Sequence, residues 1–600
     1  MYIFDENDTF FRNPAGALEL SESLTLRIKL KRGEALNPRV CLYPDDGEAF
    51  EVMMDYECAA GGYDVYKTVF EFENPWLYWY CFLVDSAYGT TFQVPEYAGG
   101  SFQITVFKPD TGQPDWIRGG LIYHIFVDRF RHGGGQLRLS PGAVRRSDWG
   151  GCPYFLPDEK EVVHNNDFFG GDLYGVIEKL PYLEELGVTC IYLSPVFEAA
   201  SNHKYDTGDF MKIDVAFGGD EALEKLCGSA GELGIRVILD GVFNHVGSDS
   251  KYFNRYGRYD NPGAYSDQRS PYRDWFTFND DGSYEAWWGI ELLPAINKQN
   301  KQYEDFICGE NGVIAFWTKK GISGWRLDVV DELPDILLDP LCSAIKRENS
   351  SAFITGEVWE DASNKISYDV RRRYFLGGQL DSVTNYPLRN AIIACVKDGD
   401  IIRLADTMAD LCRNYPKHIL DSLMNIIGTH DTVRILTVLS GADLPEGRIA
   451  MSHFKLSEEE LALAKKRLRL ASALQFTLPG VPCVYYGDEA GMEGGADPFN
   501  RICYPWGHED TDIISWYKEL SRIRKENSCF KDGGYTLIEA RDGLFVFTRG
   551  SGAQRILVAV NVSDEEKNVT APDFNFDILA SKETGLLTVE AGKPGIFGII

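Results

Sequence analysis

Eight short apolar runs, none alternating with polar residues, set the strongest limit on what this chain can fold into. They lie at residues 121–127, 188–193, 235–239, 324–329, 352–355, 380–383, 423–427 and 482–486. Continuous apolar runs of this length are what parallel strands buried on both faces require. Helical patterns lie between them. Leu173, Val176, Ile177, Leu180 and Leu183 recur at helical spacing, as do Leu223, Leu226, Cys227, Ala230 and Leu233, and Ser457 with Glu460 forms a capping box ahead of Leu461, Ala464, Leu468 and Ala471. Eight strand-then-helix units in succession predict an α/β chain folded as a (β/α)8 TIM barrel, with its chemistry at the C-terminal ends of the strands.

The flanks read differently. Leu24, Leu26, Ile28 and Leu30 alternate with Thr25, Arg27 and Lys29, and further strand-like runs follow at 40–43, 65–72, 76–84 and 102–107. This period of two predicts an N-terminal β-sandwich over residues 1–115. Its aromatics, Trp76, Tyr78, Trp79 and Tyr80, have the composition of a sugar-stacking face but fit a core better. The barrel then occupies 116–527, well beyond the roughly 250 residues typical of that fold. Most of the excess lies at about 246–312, where Gly, Asp, Asn and aromatics dominate, so an inserted subdomain is expected over the barrel mouth after strand three. Beyond the last helical pattern, Asp542-Gly543 between two strand-like runs marks a hairpin. Residues 528–600 are therefore expected to form a C-terminal antiparallel β-domain.

Charge and cysteine usage narrow the partners. A formal net charge of −30 argues against nucleic acid and against an anionic membrane, and favours a neutral substrate. The opening residues carry neither a basic region nor an apolar stretch of signal-peptide kind, and no apolar span suits a membrane. Thirteen cysteines without paired spacing fit reduced thiols, so a cytoplasmic protein is expected.

Polar motifs stand at the C-terminal ends of four of the eight strands. Asp240-Gly-Val-Phe-Asn244-His245 follows the third, and Arg326 and Asp328 lie on the fourth. The fifth ends in Thr355-Gly-Glu357-Val-Trp359-Glu360, and Gly428-Thr-His430-Asp431-Thr-Val-Arg434 follows the seventh. In an extended strand, residues two apart face the same way, so Arg326 and Asp328 share one face and Trp325 and Leu327 the other. A guanidinium beside a carboxylate favours its ionised form, as a nucleophile requires. One such pair alone is more often a tie at a strand end. Four motifs in order at the correct ends of the strands are hard to obtain by chance.

Together these motifs resemble the conserved regions of glycoside hydrolase family 13, the α-amylase family. The likeness extends to Ile122-Tyr-His-Ile-Phe-Val-Asp-Arg-Phe130, Phe169-Gly-Gly-Asp-Leu173, His203-Lys-Tyr205-Asp206-Thr207 and Tyr485-Tyr-Gly-Asp-Glu-Ala490. Within the family, the chain is most similar to the neopullulanase, cyclomaltodextrinase and maltogenic amylase group. Leu293-Pro-Ala295-Ile-Asn297 resembles that group's marker, with Ala295 where lysine is usual. Val330-Asp331 also replaces the usual Ala-Asn.

The resemblance implies a retaining glycosidase acting on α-1,4 and, in some members, α-1,6 bonds of maltodextrins, pullulan, cyclodextrins or starch. Matched motif to motif, it makes Asp328 the nucleophile, Glu357 the general acid/base and Asp431 the transition-state stabiliser. It assigns substrate binding to His203, Tyr205, Asp240, His245, Arg326, Trp359, His430 and Arg434. It also brings dimerisation through the N-terminal domain. Catalysis then requires no cofactor. The one metal the family brings is a structural calcium, for which Gly170-Gly171-Asp172 supplies half the ligand set, whereas residues 131–136 lack the hard oxygens of the other half. A plain α-amylase or a transglycosylase would use the same machinery. A non-catalytic amylase-like binding protein is the reading from another class, and the presence of all three carboxylates counts against it.

Overall fold

The computed structural model describes residues 2–599 except 98, 110, 111, 113, 135–138, 140 and 160–162. The eight apolar runs form one parallel sheet: β1 (Ile122–Ile125), β2 (Cys190–Leu193), β3 (Arg236–Gly241), β4 (Gly324–Leu327), β5 (Phe353–Gly356), β6 (Ser382–Val383), β7 (Met424–Ile426) and β8 (Val481–Tyr485). Their order is β6-β5-β4-β3-β2-β1-β8-β7, and a parallel bridge from Thr384 to Met424 joins β6 to β7 and closes the barrel. Ile122, Cys190, Ile238, Phe353, Met424, Ile426, Val481 and Cys483 fill its interior as one buried cluster. Side chains two residues further along the same strands, His124, Tyr192 and Asp240, reach the C-terminal end, where the interior becomes polar.

Helical patterns formed helices where capping and periodicity agree. Ser457 caps Glu458–Thr477, with Glu460 completing the capping box. The periodic stretch from Leu173 is divided into Leu173–Glu178 and Leu180–Glu185, with Pro181 in the first turn of the second. Proline has no N–H for an intrahelical bond, so the apolar period continues while the helix does not.

By compactness the chain divides into two units. One comprises residues 1–111, 360–380 and 406–420; the other comprises 112–359, 381–405 and 421–600. The first unit contains two antiparallel sheets: Tyr63–Glu71 lies between Ser23–Lys31 and Asp55–Ala60, and Leu77–Ser86 between Ala35–Pro44 and Phe102–Phe107. Leu24, Leu26, Ile28 and Leu30 all point into the core between the sheets, as does Tyr80. Trp79 instead donates its Nε1–H to Asp45. Segment 360–380 joins this unit through Arg371, which grips Asp45 from two nitrogens at 2.7 Å each, and through Ser363, which accepts from Gln103. The C-terminal sheet belongs to the barrel's unit. Its first hairpin, Tyr535–Arg541 with Leu544–Arg549, turns at Asp542-Gly543, both with positive φ.

Gly324, at the start of β4, has no room for a side chain, since a Cβ there would lie 2.2 Å from the Phe353 carbonyl oxygen. Gly228 lies within the helix Gly219–Glu232 and faces open space. Gly324→Ala is therefore expected to destabilise the protein by at least ~2 kcal/mol, whereas Gly228→Ala stabilises it by up to about 1 kcal/mol. Denaturant titration of both variants checks the contrast, and shifts of the same sign would contradict it.

Candidate active site

The polar end of the barrel is organised by register. Asp240 on β3 pairs directly with Arg326 on β4, and Arg326 in turn with Thr355 on β5. The Arg326 guanidinium binds three carboxylates at once. Its Nη1 donates to Asp240 Oδ1 and Oδ2 at 2.7 and 2.9 Å and to Asp328 Oδ1 at 2.8 Å, while Nη2 lies 2.9 Å from Glu357 Oε2. All four side chains are buried. Trp325 and Leu327 point the other way, with Trp325 packed against Phe243 and Phe197.

One guanidinium cannot neutralise three buried carboxylates. Burial pushes the Asp328 carboxyl well above the usual carboxylate range; Arg326 pulls it down, and Glu357 and Asp240 push it further up. Burial likewise raises Asp240, against Arg326 and the hydroxyls of Tyr192 and Tyr205, which donate to Asp240 Oδ2 at 2.6 and 3.0 Å. Asp328 and Asp240 therefore hold protons more readily than isolated carboxylates do. A guanidinium bridging Asp328 and Glu357 is compatible with the roughly 5–5.5 Å separation of retaining glycosidases.

The turn after β4 serves the same pair. Val329 has φ +38°, which is strained for a β-branched residue, and this conformation aims its N–H at Glu357 Oε2, 2.9 Å away. Glu357 Oε1 accepts from Trp359 Nε1 at 3.1 Å, and the Trp359 ring, 46% exposed, stacks on Tyr386 at 3.9 Å.

A second group of side chains lines the other side. The Tyr205 hydroxyl joins Asp240 to His430 Nε2, 2.6 Å away, and its ring stacks on His430. His430 Nε2 lies 3.2 Å from Asp431 Oδ2. The His203 ring lies against Tyr205 and accepts the Tyr205 N–H at Nδ1, and His245 lies against the Tyr205 main chain. Burial lowers all three imidazoles: His203 and His245 are each pushed down to about 3, and His430 falls well below its usual value. They are therefore neutral hydrogen-bonding groups at any ordinary working pH.

Ten of the eleven residues singled out in the sequence converge here. Arg434 does not. Its fully buried guanidinium donates to the carbonyls of Asn500 and Tyr486 and to Asp488, and lies over the Tyr485 ring at 4.2 Å. It braces the loops after β7 and β8, so the substrate-binding role expected for it is corrected to a structural one. Three contributors had not been singled out. Tyr192 reads in sequence as an ordinary core position of β2, and His124 stacks on it at 4.1 Å. Arg501 holds the His430 carbonyl at 2.9 Å and approaches Asp431 Oδ1 at 3.4 Å, but comes from a loop after β8 with no motif of its own.

The half-set for calcium is otherwise employed. Asp172 Oδ1 caps the helix that follows by accepting from Gly175 N–H, and also accepts from Gly133 N–H, while Oδ2 faces His132 Nδ1 at 3.3 Å. Donors crowd the carboxylate, and an imidazole is not a hard oxygen ligand, so these residues do not fit calcium. Residues 135 and 136 of the other half lie outside the described residues.

Comparison with known proteins agrees with the geometry. The family description "Alpha amylase, catalytic domain" matches residues 124–511. The amylopullulanase of Thermoanaerobacter thermohydrosulfuricus is 36% identical over 611 residues, covering 91% of this chain and 40% of that protein. The chain spans less than half the length of the amylopullulanases it matches, at 40%, 49% and 34%. Neopullulanase 2 of Thermoactinomyces vulgaris is 30% identical, covering 92% of this chain and 90% of its own. The solved structure of the type III pullulan hydrolase from Thermococcus kodakarensis matches over 100% of both chains, with a TM-score of 0.67 and 25% identity.

Arg326→Leu is expected to cost about 3–5 kcal/mol, because it leaves buried carboxylates without their cation. Those carboxyls then bind protons more tightly folded than unfolded, so the variant loses stability as pH rises. The deficit relative to wild type should be larger at pH 8 than at pH 5 in denaturant titrations; a deficit independent of pH would contradict the charge arrangement.

Proposed function

The chain belongs to the α-amylase family of glycoside hydrolases, and from the geometry of its barrel mouth we propose that it hydrolyses α-glucosidic bonds of glucans with retention of configuration. The observation that carries this reading is the single guanidinium of Arg326 binding Asp328, Glu357 and Asp240 together. In the first step the Asp328 carboxylate attacks the anomeric carbon. The glycosidic bond breaks as Glu357 gives its proton to the departing oxygen, leaving a glycosyl ester on Asp328. In the second step Glu357 takes a proton from water, which displaces Asp328 and restores both groups.

The remaining side chains support the charge-separated transition state and hold the sugar. Asp431, with about a third of its side chain open to solvent, is placed to face the developing positive charge. Tyr205 offers a ring for stacking, and His203, His245 and His430 offer neutral nitrogens to sugar hydroxyls. His245 Nε2 is buried and meets no protein partner among the described residues, leaving it available to such a hydroxyl. Trp359 stands beside the acid, on the side from which the leaving group departs.

For substrate we favour α-1,4 bonds in short or cyclic glucans and pullulan over long starch, in line with the names of the relatives. Thirteen cysteines, all without disulfide bonds, support a reducing compartment such as the cytoplasm. Dimerisation through the N-terminal sandwich is part of the same reading. The test is the purified enzyme on pullulan, β-cyclodextrin and soluble starch separately, with products resolved by chromatography and kcat/KM measured. Pullulan or cyclodextrin is expected to be cleaved at least as efficiently as starch, with Asp328→Asn several orders of magnitude less active on each. A tenfold advantage for starch, about 1.4 kcal/mol of discrimination, would favour a plain α-amylase.

A further inference from the structure

The N-terminal sandwich holds a pair of nucleophilic side chains that the glycosidase chemistry does not use. In the sheet where Leu77–Ser86 lies between Ala35–Pro44 and Phe102–Phe107, Cys41 stands directly opposite Cys81. Among the described strand pairs this is the only place where cysteine meets cysteine: Cys58 is opposite Val65, Cys190 opposite Ile122 and Arg236, and Cys483 opposite Ile122 and Ile426. Directly opposed residues of an antiparallel pair send their side chains to one face, with Cα atoms about 4.5–5.5 Å apart. That separation falls within the span of a disulfide. Val40, Leu42, Tyr80 and Phe82 point into the sandwich core, so the two cysteines share the sheet's other face.

The two thiols are not equivalent. Cys41 is partly exposed, whereas Cys81 is buried. The Cys81 S–H donates to the Cys41 sulfur, which favours a thiolate at Cys41 and disfavours one at Cys81. Burial and the charge of Glu51, the strand partner on its other side, raise the Cys41 thiol, and Arg39 opposes them. Burial and the neighbouring Cys41 push the Cys81 thiol up to about 11. A reagent arriving from solvent therefore meets Cys41 first, with Cys81 directly behind it.

We propose that Cys41 and Cys81 form a reversible disulfide site whose reaction partner is a small disulfide such as oxidised glutathione. The Cys41 thiolate attacks one sulfur of that molecule, whose S–S bond breaks; a mixed disulfide forms at Cys41, and the first glutathione leaves as a thiolate that takes up the proton Cys41 had lost. Cys81 then gives up its proton and attacks the Cys41 sulfur, which releases the second glutathione to take that proton. The pair is oxidised by two electrons, and one small disulfide is reduced to two thiols. Reduction runs the same steps backwards, and the partial exposure of Cys41 admits the small thiol that starts it. The bond closes a loop that contains Asp55–Ala60 and Tyr63–Glu71 of the opposite sheet, so it ties both sheets together through the chain and restricts the unfolded state.

This inference is independent of the glucan-hydrolase reading. The test is the full-length reduced protein equilibrated in glutathione buffers from fully reduced to fully oxidised, with near-ultraviolet circular dichroism confirming that it stays folded. Remaining thiols are then blocked in acid, and the digest is read by mass spectrometry. The Cys41 and Cys81 peptides are expected to appear as one cross-linked species in oxidised buffer and to separate again on return to reduced glutathione. Cys58, exposed but opposite Val65, takes at most a single glutathione. In Cys81→Ser the glutathione is expected to remain on Cys41, and in Cys41→Ser Cys81 is expected to remain a free thiol. Free Cys41 and Cys81 in fully oxidised buffer, or wild-type Cys41 carrying a stable glutathione without cross-linking, would overturn the proposal, and the wild-type measurement decides it even if a variant fails to fold.

Discussion

One buried guanidinium shared among three carboxylates is the constraint on which the rest of this barrel end depends. Asp240, Asp328 and Glu357 come from three adjacent strands, and without Arg326 their mutual repulsion and desolvation would oppose the closure of those strands. With it, the charge remains incompletely neutralised, because one cation faces three carboxyl groups. The surroundings preserve that imbalance rather than correct it. The nearest histidines are held neutral by burial, and Tyr192 and Tyr205 donate hydrogen bonds without contributing a cation.

The strand register carries this arrangement from sequence to chemistry. Because Asp240 pairs with Arg326 across β3 and β4, a slip of one residue would turn the guanidinium outward to the helices and Trp325 inward. Gly324 keeps β4 against β5 where a methyl group would meet the Phe353 carbonyl. Val329 then bends the chain so that a backbone N–H reaches the acid. A tight approach at one end of β4 and a strained turn at the other fix the position of Asp328 between them.

Much of this was legible in the sequence because it follows period and order along the chain. The eight apolar runs became the eight barrel strands, and the alternation of Leu24, Leu26, Ile28 and Leu30 became a sandwich core. What the sequence hid depends on contacts between distant segments. Arg434 sits in a motif at a strand end and reads as a site residue, yet its partners Asn500, Tyr486 and Asp488 lie more than fifty residues away and take it out of the site. Arg501 enters the site from a loop without regular pattern. Trp287 lies in a segment whose composition indicates only an insertion, and its stacking on His245 follows from how the segment pairs with the chain after β3. Segment 360–380 belongs by sequence order to the barrel, but Arg371 and Ser363 attach it to the sandwich unit.

The central claim is that the carboxylate freed by this imbalance attacks sugar carbon and becomes an ester. Mass spectrometry of peptides from the enzyme treated with a 5-fluoro-α-glucosyl fluoride, which forms the ester readily and releases it slowly, tests this most directly. A single added fluorohexosyl mass is predicted, on the peptide containing Asp328 and removed with Asp328→Asn. A label on another residue, or full turnover with no trapped ester, would contradict the account.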